Sequence, residues 1–348
     1  MKNLTIKTNT TIKEAMKLLD KTAEKCLLVT DDNNKLLGTL TDGDLRRSIL
    51  AGLKNSDKIE SSYNGKPTIL IKNKYNKKDA KKLLRELRID LIPIVDNKKN
   101  VIDYFTWSDF GKEKKLNPSI NDVPVVIMAG GKGNRLKPFT NILPKPLIPI
   151  HDKTVIEHII ESFTDIGCSN FYLSINYKGK LLKAYFDELN PKYHIDYITE
   201  PHPLGTAGSL KLLQDKINQP FFVTNCDIIV KTDYARLYKY HNQGNYDITL
   251  VASTKEYIIP YGTCELNDQG SLQQINEKPQ YDFLVNTGLY LVNTNILSLI
   301  PKNKFYHITE LIKDAKKLGK NIGVFPVDDD SWTDIGQWAE YKKALDSL

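Results

Sequence analysis

The first third of the chain repeats itself at a constant offset of 65 residues. Ala15-x-x-Leu18-Leu19 recurs as Ala80-x-x-Leu83-Leu84, and Thr41-x-x-Asp44 recurs as Thr106-x-x-Asp109, with no gap. Each copy has apolar residues at helical spacing, then two β-rich runs joined by a polar turn, and then the start of a helix. The repeat therefore predicts that residues 1–112 fold as two copies of one α+β unit.

This duplicated unit resembles a pair of cystathionine-β-synthase (CBS) domains. In that family the Thr and Asp that follow the second strand line a cleft for adenosine nucleotides. The resemblance implies a regulatory adenine-nucleotide site at Thr41, Asp44, Thr106 and Asp109, and, since CBS pairs commonly dimerise, a homodimer or higher homo-oligomer. Asp103 stands where the first copy has Gly38, which argues against a phosphate in the second site. Both threonines are also placed as helix N-caps, so capping and ligand binding remain open.

Residues 113–122 are predicted to be a linker, and from residue 123 the pattern changes to alternating strands and helices. The chain exceeds the roughly 250 to 300 residues at which one core stops growing. We predict a three-layer, Rossmann-like α/β domain over 123–348 with a mostly parallel sheet. The predicted strands are 123–129, 170–175, 194–199, 220–224, 247–252, 263–266 and 286–292; the predicted helices are 154–167, 178–189, 206–217, 232–242, 308–318 and 335–346.

A glycine-rich loop follows the first predicted strand of this domain. Gly130, Gly131 and Gly133 come directly after an apolar run, and two cations, Arg135 and Lys145, follow. Glycines allow backbone N–H groups to approach an anion closely, and the cations would supply mobile positive charge. The spacing is neither that of a Walker loop nor that of a dinucleotide fingerprint. A glycine loop alone is a weak signal.

The longer segment 128–150 resembles the signature loop of the sugar-phosphate nucleotidylyltransferases. The glycines, Arg135 and the later Lys145-Pro146-Leu147 stand in the family's places, whereas Asn134 replaces the usual Thr. The resemblance implies that Ala129, Gly130, Gly131 and Gly133 bind the nucleotide. It also implies that Arg135 and Lys145 are catalytic residues acting on the triphosphate.

Further motifs of the same family follow in its order. Asp227 and Asp334 would each be ordinary turn or N-cap residues if taken alone, but in the family the acids at both places share one Mg²⁺. Lys278 looks like the catalytic cation for the sugar 1-phosphate. Gly205, Thr206 and Gly208 match the loop that binds the base, in a form most like the mannose-1-phosphate guanylyltransferase branch. The sugar-binding positions implied by the resemblance are Gly262, Glu277, Asn286 and Gly288.

The implied activity is Mg²⁺-dependent transfer of a nucleoside monophosphate from a nucleoside triphosphate, with GTP favoured, to a sugar 1-phosphate. The products are pyrophosphate and a nucleotide sugar for lipopolysaccharide or another surface glycan. A CBS-linked enzyme of this kind looks like those acting on glucosamine 1-phosphate in nonulosonic-acid pathways. The alternative is a catalytically silent nucleotide-sensing or assembly subunit of the same fold; the complete charged set favours the enzyme.

Charge and composition indicate which partners and which cellular location to expect. Residues 1–122 hold 25 Lys and Arg against 17 Asp and Glu, a net charge of +8, and residues 123–348 contribute −1 to the total of +7. Without a DNA-binding motif or aromatic platforms among these cations, no nucleic-acid partner is expected. No apolar stretch approaches the roughly 18 residues of a membrane span, and the four cysteines form no Cys-x-x-Cys pair. We expect a soluble, cytoplasmic protein with reduced thiols and no membrane partner.

Overall fold

The computed structural model describes residues 3–347 apart from 23, 88, 107, 108, 110–119 and 121, so most of the predicted linker 113–122 lies outside the described residues. The chain forms two compact units. The first comprises Met1–Lys115 and Thr254–Phe283, and the second comprises Leu116–Ser253 and Leu284–Leu348. A segment from the middle of the predicted transferase region therefore belongs to the N-terminal unit.

The repeat in the sequence is also a repeat of secondary structure. The first copy contains β1 (Thr5–Lys7), α1 (Ile12–Thr22), β2 (Cys26–Thr30), β3 (Leu36–Thr41) and α2 (Asp42–Leu50). The second contains β4 (Leu70–Ile71), α3 (Lys77–Leu87), β5 (Leu91–Val95) and β6 (Val101–Thr106). The bounds of α3, β5 and β6 are those of α1, β2 and β3 shifted by 65 residues. In each copy the first strand pairs parallel with the second and the second antiparallel with the third.

Helical spacing of apolar residues explains why these segments pack. In α1 the side chains of Ile12, Ala15, Met16 and Leu19 lie on one face and are buried against β2, all of whose residues are buried. Burial of a large apolar side chain contributes roughly 1.5 to 3 kcal/mol. Helix α1 is thereby fixed to the sheet of the first copy.

From residue 123 onward, strands and short helices alternate. The strands are β7 (Val125–Met128), β8 (Pro149–Ile150), β9 (Lys153–Thr154), β10 (Asn170–Ile175), β11 (His194–Thr199), β12 (Phe221–Asn225), β13 (Ile228–Val230), β14 (Ile248–Ile258), β15 (Thr263–Leu266), β16 (Leu272–Asn276), β17 (Gln280–Val292), β18 (Ile322–Val327) and β19 (Trp332–Asp334). The α-helices are α4 (Phe139–Ile142), α5 (Val155–Thr164), α6 (Gly179–Leu189), α7 (Gly205–Gly208), α8 (Tyr234–Gln243), α9 (Ile308–Lys317) and α10 (Trp338–Ser347). Within the described ranges, no helix has both the length and the apolar character needed to cross a bilayer.

Seven strands form the central sheet, in the order β11-β10-β7-β12-β17-β14-β18. Parallel pairing joins β11, β10, β7 and β12, and also β14 and β18, whereas β17 runs antiparallel to β12. In β7, Val125 and Ile127 pack into one core with Ile159 of α5, while Val126 packs into a second core with Leu311 of α9. Helices therefore cover both faces, and the predicted three-layer, mostly parallel α/β fold is confirmed.

Several elements differ from the sequence prediction. The predicted helix 206–217 is a short α7 followed by a 3-10 helix over Ser209–Leu213. Leu210 and Leu213, three residues apart, are both fully buried, and a 3-10 helix places residues at that spacing on one face. The short strands β8, β9, β13, β16 and β19 and the short helix α4 were not predicted. Strand β18, which contains Gly323 and Pro326, was not predicted either; it lies at the sheet edge, where Pro is tolerated.

Candidate active site

A pocket of about 400 Å³ opens in the second unit beside the carboxyl ends of β7 and β12. These parallel strands are in register, with Met128 opposite Asn225, so the loops that follow them start side by side. The predicted residues that line the pocket are Gly130, Gly131, Gly133, Arg135, Lys145, Gly205, Thr206 and Asp227. The fold therefore gathers residues from three separate sequence motifs into one site.

A larger pocket of about 600 Å³ lies elsewhere on the same unit, near the ends of α5 and α6. Among its described lining residues there is no predicted site residue. Burial raises the pKa of the Cys168 thiol to about 12, and burial together with nearby acids raises the pKa of Tyr193 to about 12. Neither group is a nucleophile near neutral pH, and we assign the chemistry to the first pocket.

The glycine loop requires glycine at two positions, because a side chain at either one would clash with a neighbouring residue. A Cβ on Gly130 would lie 2.7 Å from Glu200 Oε1. Gly133 has a φ of +64°, and a Cβ there would lie 2.8 Å from the Thr140 side chain. Thr140 in turn donates its hydroxyl to the carbonyl of Gly133 at 3.0 Å. By contrast, a Cβ on Gly131 would face open space. The loop is therefore closely packed at Gly130 and Gly133 and leaves space for a ligand at Gly131.

The two predicted metal ligands point to the same place. A Cβ on Gly336 would lie 2.7 Å from Asp227 Oδ2, 2.9 Å from Asp334 Oδ1 and 3.4 Å from Arg135 Nη2. The antiparallel pairing of β13 with β19 sets Ile228 opposite Asp334, which brings the acids together. The Gly336 N–H also donates to Asp334 Oδ1 at 2.7 Å.

This pair of carboxylates fits a hard divalent cation. In the part of the chain that the structure describes, there is no group of three or more His, Cys, Asp and Glu arranged to hold a metal. Mg²⁺ typically binds one or two carboxylates and completes its shell with water and substrate phosphates, so two acids are sufficient. Asp227 and Asp334 are therefore the candidate ligands.

Lys145 forms an ion pair with Asp227 inside the pocket. The two side chains are only 11% and 14% exposed. A cation and an anion that are both largely removed from water stabilise each other, and either one left alone would cost several kcal/mol. The Lys145 amine is therefore held beside Asp227, where it would also contact a ligand that binds to Asp227.

Glu200 is a site residue that the sequence analysis missed. It lines the pocket, is only 6% exposed, and follows β11 directly. Its Oε1 accepts from the Ser174 hydroxyl at 2.6 Å, and its Oε2 accepts from the Leu204 N–H at 2.9 Å. The sequence signal that could have identified Glu200 is an acid at the carboxyl end of a strand, which is also the signal that identified Asp227. Phe305 and His307 also line the pocket and were not predicted.

The loop at Gly205–Gly208 is tied to the start of α9. Gly205, with a φ of +78°, lies against the backbone of Tyr306, and the Tyr306 carbonyl accepts from the Gly208 N–H at 3.1 Å. The Thr206 hydroxyl accepts from the Ile308 N–H at 3.0 Å. Gly205 and Thr206 face the pocket. Gly208 is buried with its amide already bonded, and its role in nucleotide binding stays a prediction.

The predicted sugar-binding residues divide between the two units. Gly262, Glu277 and Lys278 lie in the segment Thr254–Phe283 of the first unit. Asn286 and Gly288 lie on β17 in the second, where the Asn286 side chain donates to the Tyr290 hydroxyl at 2.7 Å. A Cβ on Gly288 would lie 2.5 Å from Asn225, which lines the pocket. The sugar roles of all five residues stay predictions.

In the N-terminal repeat, the predicted regulatory residues Thr41 and Asp44 form a helix cap. The Thr41 hydroxyl accepts from the Asp44 N–H at 3.2 Å, and Asp44 accepts from the Thr41 N–H at 2.8 Å. In the second copy, Asp109 accepts from the Thr106 N–H at 2.7 Å and from the Thr106 hydroxyl at 3.2 Å, and most of the residues that follow lie outside the described residues. Capping thus accounts for Thr41 and Asp44, and the adenine-nucleotide role of all four residues stays a prediction.

Comparison with curated proteins gives the chain's relatives. A mannose-1-phosphate guanyltransferase of Yarrowia lipolytica is 33% identical over 224 residues, which are 61% of this chain and 60% of that protein. A probable mannose-1-phosphate guanylyltransferase 3 of Oryza sativa subsp. japonica is 32% identical over 244 residues, which are 64% of this chain and 65% of that protein. The chain thus spans less than two thirds of the length of these relatives.

The chain is also similar to proteins of known structure. HddC from Yersinia pseudotuberculosis is 27% identical, with a TM-score of 0.52, covering 64% of this chain and 98% of its own. Its complex with GMP-PN, at 26% identity, has the same TM-score and coverage. A putative glucose-1-phosphate thymidylyltransferase from Bacillus anthracis, at 20% identity and a TM-score of 0.50, covers 64% of this chain and 94% of its own and supports the fold alone.

Two family profiles match the chain. The CBS domain profile matches residues 1–51. The Nucleotidyl transferase profile matches residues 124–348, well over half of the chain. The protein therefore belongs to the nucleotidyl transferase family and carries a CBS domain at its N-terminal end.

Proposed function

We propose that this protein is a sugar-1-phosphate nucleotidylyltransferase that uses Mg²⁺ and prefers GTP. One observation carries the proposal: Asp227, Asp334 and Arg135 converge beside the glycine loop, with Lys145 paired to Asp227. A pocket with amides, two cations and two acids suits a triphosphate and its metal. A silent relative of the same fold would have no need to keep this set complete.

The reaction requires alignment and charge neutralisation more than proton transfer. A phosphate monoester has a second pKa of about 6, so the sugar 1-phosphate is largely dianionic at neutral pH and attacks without a general base. One of its oxygens forms a bond to the α-phosphorus of the triphosphate as the bond to pyrophosphate breaks. Arg135 and Lys145 neutralise the triphosphate and the departing pyrophosphate, and Lys278 neutralises the attacking phosphate.

Asp227 and Asp334 would hold the Mg²⁺. When bound, the ion supplies positive charge between phosphate groups that would otherwise repel each other. Lys145 is paired with Asp227, so its amine would lie beside the phosphates that such an ion holds.

Glu200 supports guanine as the base. Guanine presents N–H donors on its Watson–Crick edge, and an ionised carboxylate is an acceptor with about four lone-pair sites. Ser174 and Leu204 occupy one site on each oxygen of Glu200, so one further site on each is open to a base. The GMP-PN complex of HddC and the guanylyltransferase names of the relatives point the same way.

The sugar is proposed from the family resemblance and from the relatives. Gly262, Glu277, Asn286 and Gly288 are the candidate contacts for its hydroxyls. Mannose 1-phosphate follows from the relatives, and glucosamine 1-phosphate follows from the resemblance to CBS-linked enzymes of nonulosonic-acid pathways. We assign the product to surface glycan synthesis in the cytoplasm.

The test is pyrophosphate release with Mg²⁺ across four nucleoside triphosphates and the 1-phosphates of mannose, glucose and glucosamine. We expect release with GTP and with one sugar. Release only with another triphosphate would contradict the guanine assignment alone. Absence of release from every combination, with and without AMP or ATP, would favour the silent sensor or assembly subunit.

The CBS repeat is proposed to bind an adenine nucleotide and to form a homo-oligomer. Equilibrium dialysis of the full chain with AMP, ATP and S-adenosylmethionine tests the first, and sedimentation tests the second. If none of the three ligands binds, or if a Thr41→Ala variant binds as the wild type does, the residues serve as caps only.

A further inference from the structure

Helix α4 (Phe139–Ile142) supports the glycine loop. The Thr140 hydroxyl donates to the carbonyl of Gly133, and a Cβ on Gly133 would lie 2.8 Å from the Thr140 side chain. Of the four residues of α4, all of which the structure describes, only Thr140 is buried. A single helical turn is not stable by itself. Contacts from other elements must therefore determine where α4, and with it Gly133, is placed.

Aromatic rings of the C-terminal helix α10 hold the start of α4. The ring centroid of Phe139 lies 5.0 Å from that of Trp338 and 6.1 Å from that of Tyr341. The rings of Trp338 and Tyr341 lie 5.8 Å apart. Aromatic pairs attract each other at centroid separations of about 4.5 to 7 Å. The three rings thus form one cluster, which fixes Phe139 against α10.

Two hydrogen bonds from the same side chains reach the backbone before and after α4. Trp338 Nε1 donates to the carbonyl of Lys137 at 2.9 Å, and the Tyr341 hydroxyl donates to the carbonyl of Pro149 at 2.8 Å. Burial raises the pKa of Tyr341, so its hydroxyl stays a donor at neutral pH. The two bonded carbonyls bracket Lys145 in the sequence. Helix α10 therefore holds both ends of the segment that carries this cation.

The end of α4 is held by Lys178, in the loop between β10 and α6. Its Nζ donates to the carbonyls of Asn141 and Ile142, both at 2.6 Å. The last carbonyls of a helix have no partner within the helix, and a nearby lysine can satisfy them. Lys178 has a φ of +55°, in the left-handed region that favours glycine. Strained backbone conformations of this kind cluster at functional sites, and here the strained residue places a cation on α4.

We propose that Trp338 and Lys178 are positioning residues that hold α4 at its two ends and thereby set the glycine loop and Lys145 for a nucleoside triphosphate. Both residues, α4 and the loop belong to the second unit. Neither residue is among the described residues that line the pocket, so each acts through α4. This inference rests on the proposed function in taking a triphosphate as the ligand of the loop.

The experiment compares Trp338→Phe, Lys178→Met and Lys178→Arg in the full chain. Phe keeps a ring in the cluster but removes the N–H that bonds Lys137. Met keeps most of the length of the Lys178 side chain but removes its donors, whereas Arg restores a cation with several donors. Lys180→Met is the matched control, because Lys180 lies in the first turn of α6 and is exposed.

Three measurements are made on each variant. Hydrogen–deuterium exchange over residues 130–143 measures whether the glycine loop and α4 are held. Calorimetric titration with GTP and Mg²⁺ gives the Kd of the nucleotide without any turnover. Pyrophosphate release gives the KM for GTP and the KM for whichever of the mannose, glucose and glucosamine 1-phosphates is turned over.

We expect Trp338→Phe and Lys178→Met to exchange faster over residues 130–143 and to raise the Kd and the KM for GTP on the order of tenfold, with the KM for the sugar 1-phosphate unchanged. Lys178→Arg should recover most of the loss, and Lys180→Met should match the wild type. Unchanged exchange in both variants, or equal increases in both KM values, would overturn the proposal. If the wild type binds none of the four nucleoside triphosphates, the proposed function fails, whereas the exchange measurement still decides whether Trp338 and Lys178 hold the loop.

Discussion

Asp227 and Asp334 direct their carboxylates at the same point, the place that a side chain on Gly336 would occupy. The distances from that point are 2.7 Å to Asp227 Oδ2 and 2.9 Å to Asp334 Oδ1. The acids are 107 positions apart in the sequence, and the β13–β19 ribbon joins them. The absence of a side chain at Gly336 is therefore a requirement of the site.

Adding a methyl group at this point gives the first prediction. Gly336→Ala should lower kcat at least about 100-fold and raise the Mg²⁺ concentration needed for half-maximal rate, because the new Cβ displaces both carboxylates. The matched control is Gly65→Ala, since Gly65 has open space in the Cβ direction. Pyrophosphate release at varied Mg²⁺ measures both effects. A Gly336→Ala variant with wild-type Mg²⁺ dependence would contradict the assignment of the two acids.

Neutralising one of the acids gives the second prediction. Asp227→Asn keeps the shape of the side chain but removes the charge that pairs with Lys145, so we expect turnover to fall about 100- to 1,000-fold in a protein that is still folded at the assay temperature. The unfolding temperature should also fall, because the largely buried Lys145 loses its carboxylate partner. Asp215→Asn, at an exposed position, should behave as the wild type. Pyrophosphate release and a thermal unfolding curve are measured side by side. Near wild-type turnover in Asp227→Asn would remove Asp227 from the metal site.

Motifs with a local signature could be predicted from the sequence. The glycine loop, Lys145 and Asp227 each follow a strand or stand at fixed spacing from it, and the structure places them around one pocket. Glu200 lacked such a motif, although it too follows a strand. Its importance depends on Ser174 and Leu204, which reach it only in the folded sheet.

The grouping of the segment Thr254–Phe283 with the N-terminal repeat in one compact unit could not be predicted from the sequence. Its sequence belongs to the transferase profile, and nothing local distinguishes Glu256 or Asp282 from other surface acids. Their partners, Lys13 and Asn55, are more than 220 residues away in the sequence. Contacts over such separations depend on the tertiary fold, which hydrophobic periodicity does not encode.

Base selection gives the third prediction. Glu200→Gln should lower kcat/KM for GTP about 10- to 100-fold, because an amide oxygen and an NH₂ group replace the two acceptor oxygens that we propose for the donors of guanine. The kcat/KM values for the other triphosphates should change less, so the ratio of kcat/KM for GTP to kcat/KM for UTP should fall. Glu188→Gln, an exposed replacement of the same kind, serves as the control. An unchanged preference for GTP over UTP in the Glu200 variant would show that the base is recognised elsewhere.

A buried histidine gives the last prediction, on the pH dependence of stability. His241 of α8 is 1% exposed, and its ring nitrogens lie 2.8 Å from the Thr249 hydroxyl and 3.2 Å from Asn293 Oδ1. Burial lowers the pKa of His241 below its ordinary value of 6.5, although Asn293 and Asp247 oppose the change. The folded state therefore keeps the ring neutral at a pH where the unfolded chain takes up a proton.

It follows that the contribution of His241 is complete above pH 6.5 and is lost as the pH falls from there towards the lowered folded pKa. In that interval each pH unit costs up to about 1.4 kcal/mol of unfolding free energy. Urea unfolding at pH 8.0, 6.5 and 5.5 measures this slope. His241→Gln should be less stable at pH 8.0 and should have a smaller slope, whereas His202→Gln, at an exposed position, should keep the wild-type slope. Equal slopes in the wild type and His241→Gln would mean that other groups set the acid sensitivity of the fold.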